Sequence, residues 1–341
     1  METPYVAVDV AVLDRNVRSM AAAAGQRGLA LRPHAKTHKT VEIARRQIEH
    51  GAAGLTVATV AEAEAFADGG IEDLFIAYPV WPSPARARRL RALADRVALR
   101  VGVDSAESAQ ALARSVGPLD VMVEVDSGQH RSGVRPSDAK ALAADAERAG
   151  HRVSGIFTFP GHGYGPGLQH QAARDEATAL LEADPQAPVR SGGSTPTAAF
   201  AEAGPLTEMR PGVYVFGDAQ QVELGTCTWD DVALTVAATV VSRRGDRAIV
   251  DAGSKILGAD RLAWATGFGR LPDHPDARIV ALSEHHATIE FPGGAVPARG
   301  DRLRVAPNHV CATVNLTDEL VVVEAGREID RWRVAARGAN T

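Results

Sequence analysis

DLFIAYPVWPSPARARRLRALADRVALRVGV (residues 73–103) holds one complete strand–helix–strand period. DLFIAY (73–78) and VALRVGV (97–103) are short apolar runs of strand length. PARARRLRALA (84–94) between them is built of strong helix formers. The same rhythm extends to both sides. Apolar runs recur at LALRPHAK (29–36), GLTVAT (54–59), DVMVEVD (120–126), VSGIFTF (153–159), PVRSGGS (188–194) and EMRPGVYVF (208–216), with helical stretches such as VAEAEAFADGG between them. Eight strands alternating with helices predict an α/β fold, a parallel (β/α)₈ TIM barrel. The runs are short, so pattern alone also admits a doubly wound open sheet. After Thr228 the texture changes. VALTVAATVVS (232–242), RAIVDAG, ATIEFPG, DRLRVAP and ELVVVEAG are Val-rich, punctuated by Gly, Pro and Asp, and read as a mainly β C-terminal domain. The expected division is a barrel over 10–228 and a β domain over 229–341, joined by residues 1–9, with the boundary in 225–231.

Composition narrows the function. The 341 residues carry a formal charge of −5, with 45% hydrophobic and 23% charged residues, which gives no basic footprint for nucleic acid or an anionic membrane. No apolar run reaches membrane-spanning length. The opening METPYVAVDVAVLDRN lacks a basic start followed by an apolar core, so a cytoplasmic location is expected. Cys227 and Cys311 are the two cysteines, too few for a disulfide framework, and Cys227 reads as structural. Lysine occurs four times, at 36, 39, 140 and 255, so 33 of the 37 basic residues (37 − 4) are arginine. A guanidinium stays protonated and is no nucleophile, which leaves four candidates for lysine-based covalent chemistry.

One of them stands in RPHAKTHKT (32–40), at the end of the first barrel strand. Period-two alternation puts Arg32, His34, Lys36 and His38 on one face. Such a face is a poor apolar core and suits the C-terminal mouth of a barrel, where crowded cations favour a neutral amine. A solvated strand end with hydrogen-bonded histidines reads the spacing equally well.

RPHAKTHK resembles the cofactor-lysine motif of the D-threonine aldolase and metal-dependent D-serine dehydratase family. These are fold type III pyridoxal 5′-phosphate (PLP) enzymes, with an alanine-racemase-like barrel followed by a β domain. The resemblance runs in order along nearly the whole chain, through EVDSGQHRSGV (124–134), GHGY (161–164), GGSTPT (192–197), EMRPGVYVFGDAQQ (208–221), DAGSKILGAD (251–260) and PNHVCATVNL (307–316). It implies that Lys36 carries PLP. GGSTPT and RPGVY, at the seventh and eighth barrel strands, supply a phosphate site from Gly193, Ser194, Thr195, Gly212 and Val213. There glycines admit close backbone approach, and a helix N-terminus offers donors. Read alone, SGGST is an ordinary turn and N-cap. Arg210 resembles the arginine facing the pyridine nitrogen in related racemases, with Glu208 as the competing partner. Arg131 resembles the arginine near the cofactor's phenolic oxygen. His34 stands on the lysine's strand face, and His162 and Tyr164 lie in a Gly-rich loop after the sixth strand, where contact with cofactor or substrate is expected.

His309 and Cys311 stand at i and i+2, which on an extended segment point the same way and can share one ion. Imidazole plus thiolate favours zinc over manganese or magnesium, and the resemblance implies a divalent metal at this position. Where family members show two acids before a histidine, this chain has SEHHA, with Glu284 followed by His285 and His286.

The expected function is a PLP- and metal-dependent lyase on β-hydroxy D-amino acids, of the D-threonine aldolase type, with D-serine dehydratase as the runner-up. An amino-acid racemase, a non-catalytic PLP carrier and a sugar-phosphate barrel enzyme are the other readings. The partners expected are a small amino-acid substrate and, by the resemblance, a second copy of the chain in a head-to-tail homodimer.

Overall fold

The computed structural model describes all of residues 1–341, and the chain divides into two compact units. One comprises residues 18–36, 41–212 and 339–341; the other comprises 1–17, 37–40 and 213–338. The break between them falls at Gly212 and Val213, upstream of the 225–231 boundary expected from texture.

After β1 (Tyr5–Asp9), the first unit holds β2 (Ala30–Leu31), β3 (Leu55–Val57), β4 (Asp73–Pro79), β5 (Ala98–Val103), β6 (Asp120–Glu124), β7 (Arg152–Phe157), β8 (Val189–Gly192) and β9 (Glu208–Met209). These eight form one parallel sheet in the order β2-β9-β8-β7-β6-β5-β4-β3. A parallel bridge between His34 and Thr56 joins the two ends and closes it into a barrel. The expected αβ alternation is therefore realised.

Both faces of the strands are covered, which is why they read as unbroken apolar runs. Leu74, Ile76, Val101, Val103, Val121 and Val123 point outward into a layer shared with Phe66, Leu90, Leu93 and Leu112 of the surrounding helices. The alternate residues Phe75, Met122 and Phe157 point into the barrel. Gly102 makes room there, since a Cβ would stand 2.8 Å from Phe157 Cζ.

The other unit is built on β1, β10 (Leu234–Arg244), β11 (Arg247–Val250), β12 (Arg278–Leu282), β13 (Ala287–Glu290), β14 (Arg302–Val305), β15 (Glu319–Glu324) and β16 (Arg327–Arg333). The sheet order is β12-β13-β11-β10-β1-β15-β16, with β14 also paired to β10. The N-terminal strand is central, antiparallel to β10 and parallel to β15. Two strands have no counterpart in the sequence reading, β12 and β16. REIDRWR of β16 is exposed at every residue except Trp332, so it carries no apolar signal. Its charges suit an edge strand that must not pair with another chain.

Candidate active site

The lysine motif departs from the alternation expected of it. β2 ends at Leu31, because Pro33 has no N–H for the ladder, and Ala35–Thr37 turns into a 3₁₀ helix. The four-cation face does not form. Arg32 is buried, with Nε 2.7 Å from Glu208 and Nη1 2.7 Å from Asp73. His38 is buried and bonded locally to Thr40. The cations expected to crowd Lys36 are instead neutralised, as Arg32 is, or bonded elsewhere, as His38 is.

Lys36 itself is half-buried, its Nζ 5.6 Å from the centre of the Phe159 ring. The Arg131 guanidinium, exposed at the surface, lies over the same ring at 5.4 Å. Tyr164 stands 6.4 Å from it, centroid to centroid. The structure thus gathers Lys36, Arg131 and Tyr164 around Phe159, a residue the sequence reading passed over. The signal was its place just past the C-terminal end of a barrel strand, where barrel sites are built. His34 forms the closing bridge to Thr56, and its backbone N–H donates to Pro211 O at 3.0 Å. His162, in a 3₁₀ turn (Gly161–Tyr164), has Nε2 3.1 Å from Asp175 Oδ2, while its Nδ1 is buried without a hydrogen-bond partner.

Beneath this cluster runs a buried polar chain. Ser191 Oγ donates to Glu208 Oε1 at 2.6 Å and accepts from Arg210 Nη1 at 2.7 Å. Arg210 Nη2 donates to Thr158 O at 2.5 Å, and its guanidinium lies over Phe75 and Phe157. Burial pushes the Arg210 pKa down; Glu208, Glu176 and Glu124 push it back up. Glu208 is committed to Arg32 and Ser191, which leaves Arg210 the better candidate for a ring nitrogen. Glu124 accepts from Ser132 Oγ at 2.9 Å, but its Oε2 is buried and unpaired, and burial raises its carboxyl above the usual range.

GGSTPT does not open an α-helix. Gly193 has a φ of +78°, a conformation that favours glycine, and the turn runs into a single 3₁₀ turn (Ala198–Phe200). The Gly193 N–H donates inward to Glu176 Oε1 at 2.6 Å, and the Ser194 N–H to Thr197 Oγ1 at 3.0 Å. The expected helix-terminal donors are thus replaced by a turn braced from within; Thr195 is its half-exposed member. Gly212 ends the barrel unit, and buried Val213 begins the other.

In that other unit His309 and Cys311 are not on a strand. His309 is the N-cap of a short helix (Val310–Leu316), with extended φ and ψ, and Cys311 lies in the first turn. The pair is together all the same. Cys311 and the Asp218 carboxylate, whose Oδ2 is 3.4 Å from His309 Nδ1, raise the imidazole's pKa well above its usual range against the effect of burial. Cys311 Sγ lies 3.4 Å from Thr37 Oγ1. No group of three or more His, Cys, Asp or Glu side chains is set for a metal ion. Burial, with Asp218 and Asp231, pushes the Cys227 thiol up to about 12, away from the thiolate. In SEHHA, Glu284 pairs at the surface with Lys255 at 2.7 Å, and His285 and His286 are exposed.

Residues 8–220 match the family model of the alanine racemase N-terminal domain, and residues 233–323 match that of a putative serine dehydratase domain. Over 97% of its length the chain is 37% identical to D-threo-3-hydroxyaspartate dehydratase of Delftia sp. (strain HT23), of which it covers 97%. Over 99% of its length it is 36% identical to D-threonine aldolase of Arthrobacter sp., covering 93%. Among solved structures, D-threonine aldolase from Filomicrobium marinum superposes with a TM-score of 0.89 at 30% identity, over 100% of this chain and 97% of that one. The Delftia dehydratase has been solved with a histidine-to-alanine change, and with a cysteine-to-alanine change two positions later in a metal-free form. Both have a TM-score of 0.89 and 32% identity over 98% of this chain, covering 95% and 97% of theirs.

Proposed function

Since the chain belongs to the fold type III PLP enzymes, with an alanine-racemase-like barrel and a serine-dehydratase-type β domain, we propose that it is a PLP- and divalent-metal-dependent lyase of β-hydroxy D-amino acids, working as a D-threonine aldolase. The observation that carries this is similarity over nearly the full chain to lyases named for such substrates, with Lys36 set at the barrel mouth against Phe159. The residues fit the cofactor. A half-buried amine faces an aromatic ring, a glycine of positive φ turns the chain just after β8, and two buried polar atoms, Glu124 Oε2 and His162 Nδ1, have no partner.

When bound, PLP supplies an electron sink at the substrate's Cα. Lys36 is the residue that holds it covalently. The turn of Gly193, Ser194 and Thr195 would receive its phosphate, with Gly212 and Val213 as the second contact, although the Gly193 and Ser194 N–H groups are spent on Glu176 and Thr197. Arg210, locked by Ser191 and Thr158, would be a fixed cation for the ring nitrogen, Arg131 and Tyr164, gathered around Phe159, would contact the cofactor, and His34 steadies the strand end. His162 takes or returns a proton at Nδ1, since Asp175 occupies Nε2. A divalent ion, zinc by the donor chemistry and otherwise manganese or magnesium, would be held by His309 and Cys311 and act as a Lewis acid toward the β-hydroxyl. With His309 and Cys311 as its protein donors, such an ion would keep positions for substrate and water.

A second reading, dehydration, is favoured by one observation: the two residues changed in the Delftia dehydratase variants have the His-x-Cys spacing of His309 and Cys311. A product assay on D-threonine, D-serine and D-threo-3-hydroxyaspartate, with and without a chelator, separates the readings. Glycine plus an aldehyde is expected. Ammonia and a 2-oxo acid would establish the dehydratase instead, and chelator-resistant racemisation would overturn both.

A further inference from the structure

Glu176 lies on the helix Gln169–Ala183, 1% exposed, and takes no part in the chemistry above. Its Oε1 receives the Gly193 N–H at 2.6 Å, at the start of the turn read as the phosphate site. The fit restricts the neighbouring residue. A Cβ at Gly192 would stand 2.3 Å from that oxygen, so a side chain at position 192 would displace the Glu176 carboxyl. With Ser194 N–H held by Thr197, the turn is braced from inside by two side-chain acceptors. Arg210, on the segment after β9, is the cation that acts on Glu176, and it is shared with Glu208 and Glu124. On its other side residue 176 borders a cavity of about 490 Å³ with Arg27, His170, Arg174 and Glu202.

We propose that Glu176 is a positioning residue that shapes the 193–195 turn through the Gly193 amide and, by its charge, sets how tightly that turn holds the cofactor's phosphate. The proposal rests on the reading of this turn as the phosphate site. A carboxylate directly behind a phosphate repels it; a protonated carboxyl does not, and its carbonyl oxygen still accepts the Gly193 N–H. Burial raises Glu176 to about 7, against the lowering effects of Gly193 N–H and Arg210, so its charge changes in the neutral range. Bound phosphate favours the proton and raises the pKa further. Below about 7 the group is neutral with or without cofactor and adds no pH dependence of its own. Above it the free protein must take up a proton to bind, so Kd rises with pH, by at most about tenfold per unit.

The test titrates apoprotein with PLP at a series of pH values from about 6 to about 9, reading Kd from visible absorbance. Wild type is expected to weaken above neutrality. Glu176→Gln keeps an acceptor for Gly193 and cannot titrate, so it should bind like wild type at the acid end and lose the slope, a gap of up to about tenfold one unit above neutrality. Glu176→Ala, lacking both charge and acceptor, should bind more weakly than Glu176→Gln at every pH. A Gln variant with the wild-type slope, or a wild type without one, overturns the proposal. A wild type that binds no PLP at any pH overturns the cofactor reading beneath it.

Discussion

At the scale of single residues, the environments of the four lysines differ in kind. Lys39 is buried and donates to Asn315 Oδ1 at 2.7 Å, Lys140 stands 3.6 Å from Asp184, and Lys255 pairs with Glu284. Lys36 faces the Phe159 ring, just past the C-terminal end of β7. Lys36→Ala is therefore expected to lose both the visible absorbance of bound cofactor and lyase activity. Borohydride reduction of the wild type should fix the cofactor on the peptide bearing Lys36, read by mass. Label on Lys255 would reverse the assignment. The arginine-rich composition made this residue legible by leaving few alternatives. Its surroundings were not legible, because the alternation argument assumed a strand through Lys36. Pro33 ends the ladder, and Arg32 turns to carboxylates 41 and 176 residues away, whose approach nothing local announces.

At the scale of elements, the same division recurs. Interior strands such as β4 and β6 could be read from their apolar runs, since helices and barrel interior bury both faces. β2 and β9 shrink to two residues each, both shortly before a proline, and the charged edge strand β16 carries no periodic signal at all. The helix Val310–Leu316 is the case that matters for chemistry. Spacing on a strand was the argument for pairing His309 with Cys311; a helix N-cap and its first turn bring them together instead. His309→Ala and Cys311→Ala are each expected to keep the cofactor absorbance and lose about 10³ in lyase rate, as a developing oxyanion goes without its cation. Cys311→Asp hardens the site, so manganese or magnesium should restore its activity in part. Wild-type rates from the alanine variants in a strong chelator would remove the metal from the mechanism.

At the scale of the whole molecule, the question is what else the barrel mouth needs. The resemblance implies a head-to-tail homodimer, in which the β domain of one copy covers the barrel mouth of another. The surface offers one independent reason. Tyr78 and Trp81, at and just beyond the C-terminal end of β4, are 54% and 56% exposed, and strand ends of that polarity form the mouth of a parallel barrel. Two large aromatic side chains so close together on a chain of net charge −5 are better suited to a partner than to water. Sedimentation at micromolar concentration should give a dimer. Replacing both aromatics, Tyr78→Ser with Trp81→Ser, should shift the equilibrium toward monomer. These side chains lie outside the cluster around Lys36, so the variant should still bind PLP. Lyase activity should then rise with protein concentration in the variant, as copies are driven together by mass action. A wild type that sediments as a monomer and is fully active would show that one chain completes its own site, and the second copy would drop out of the account.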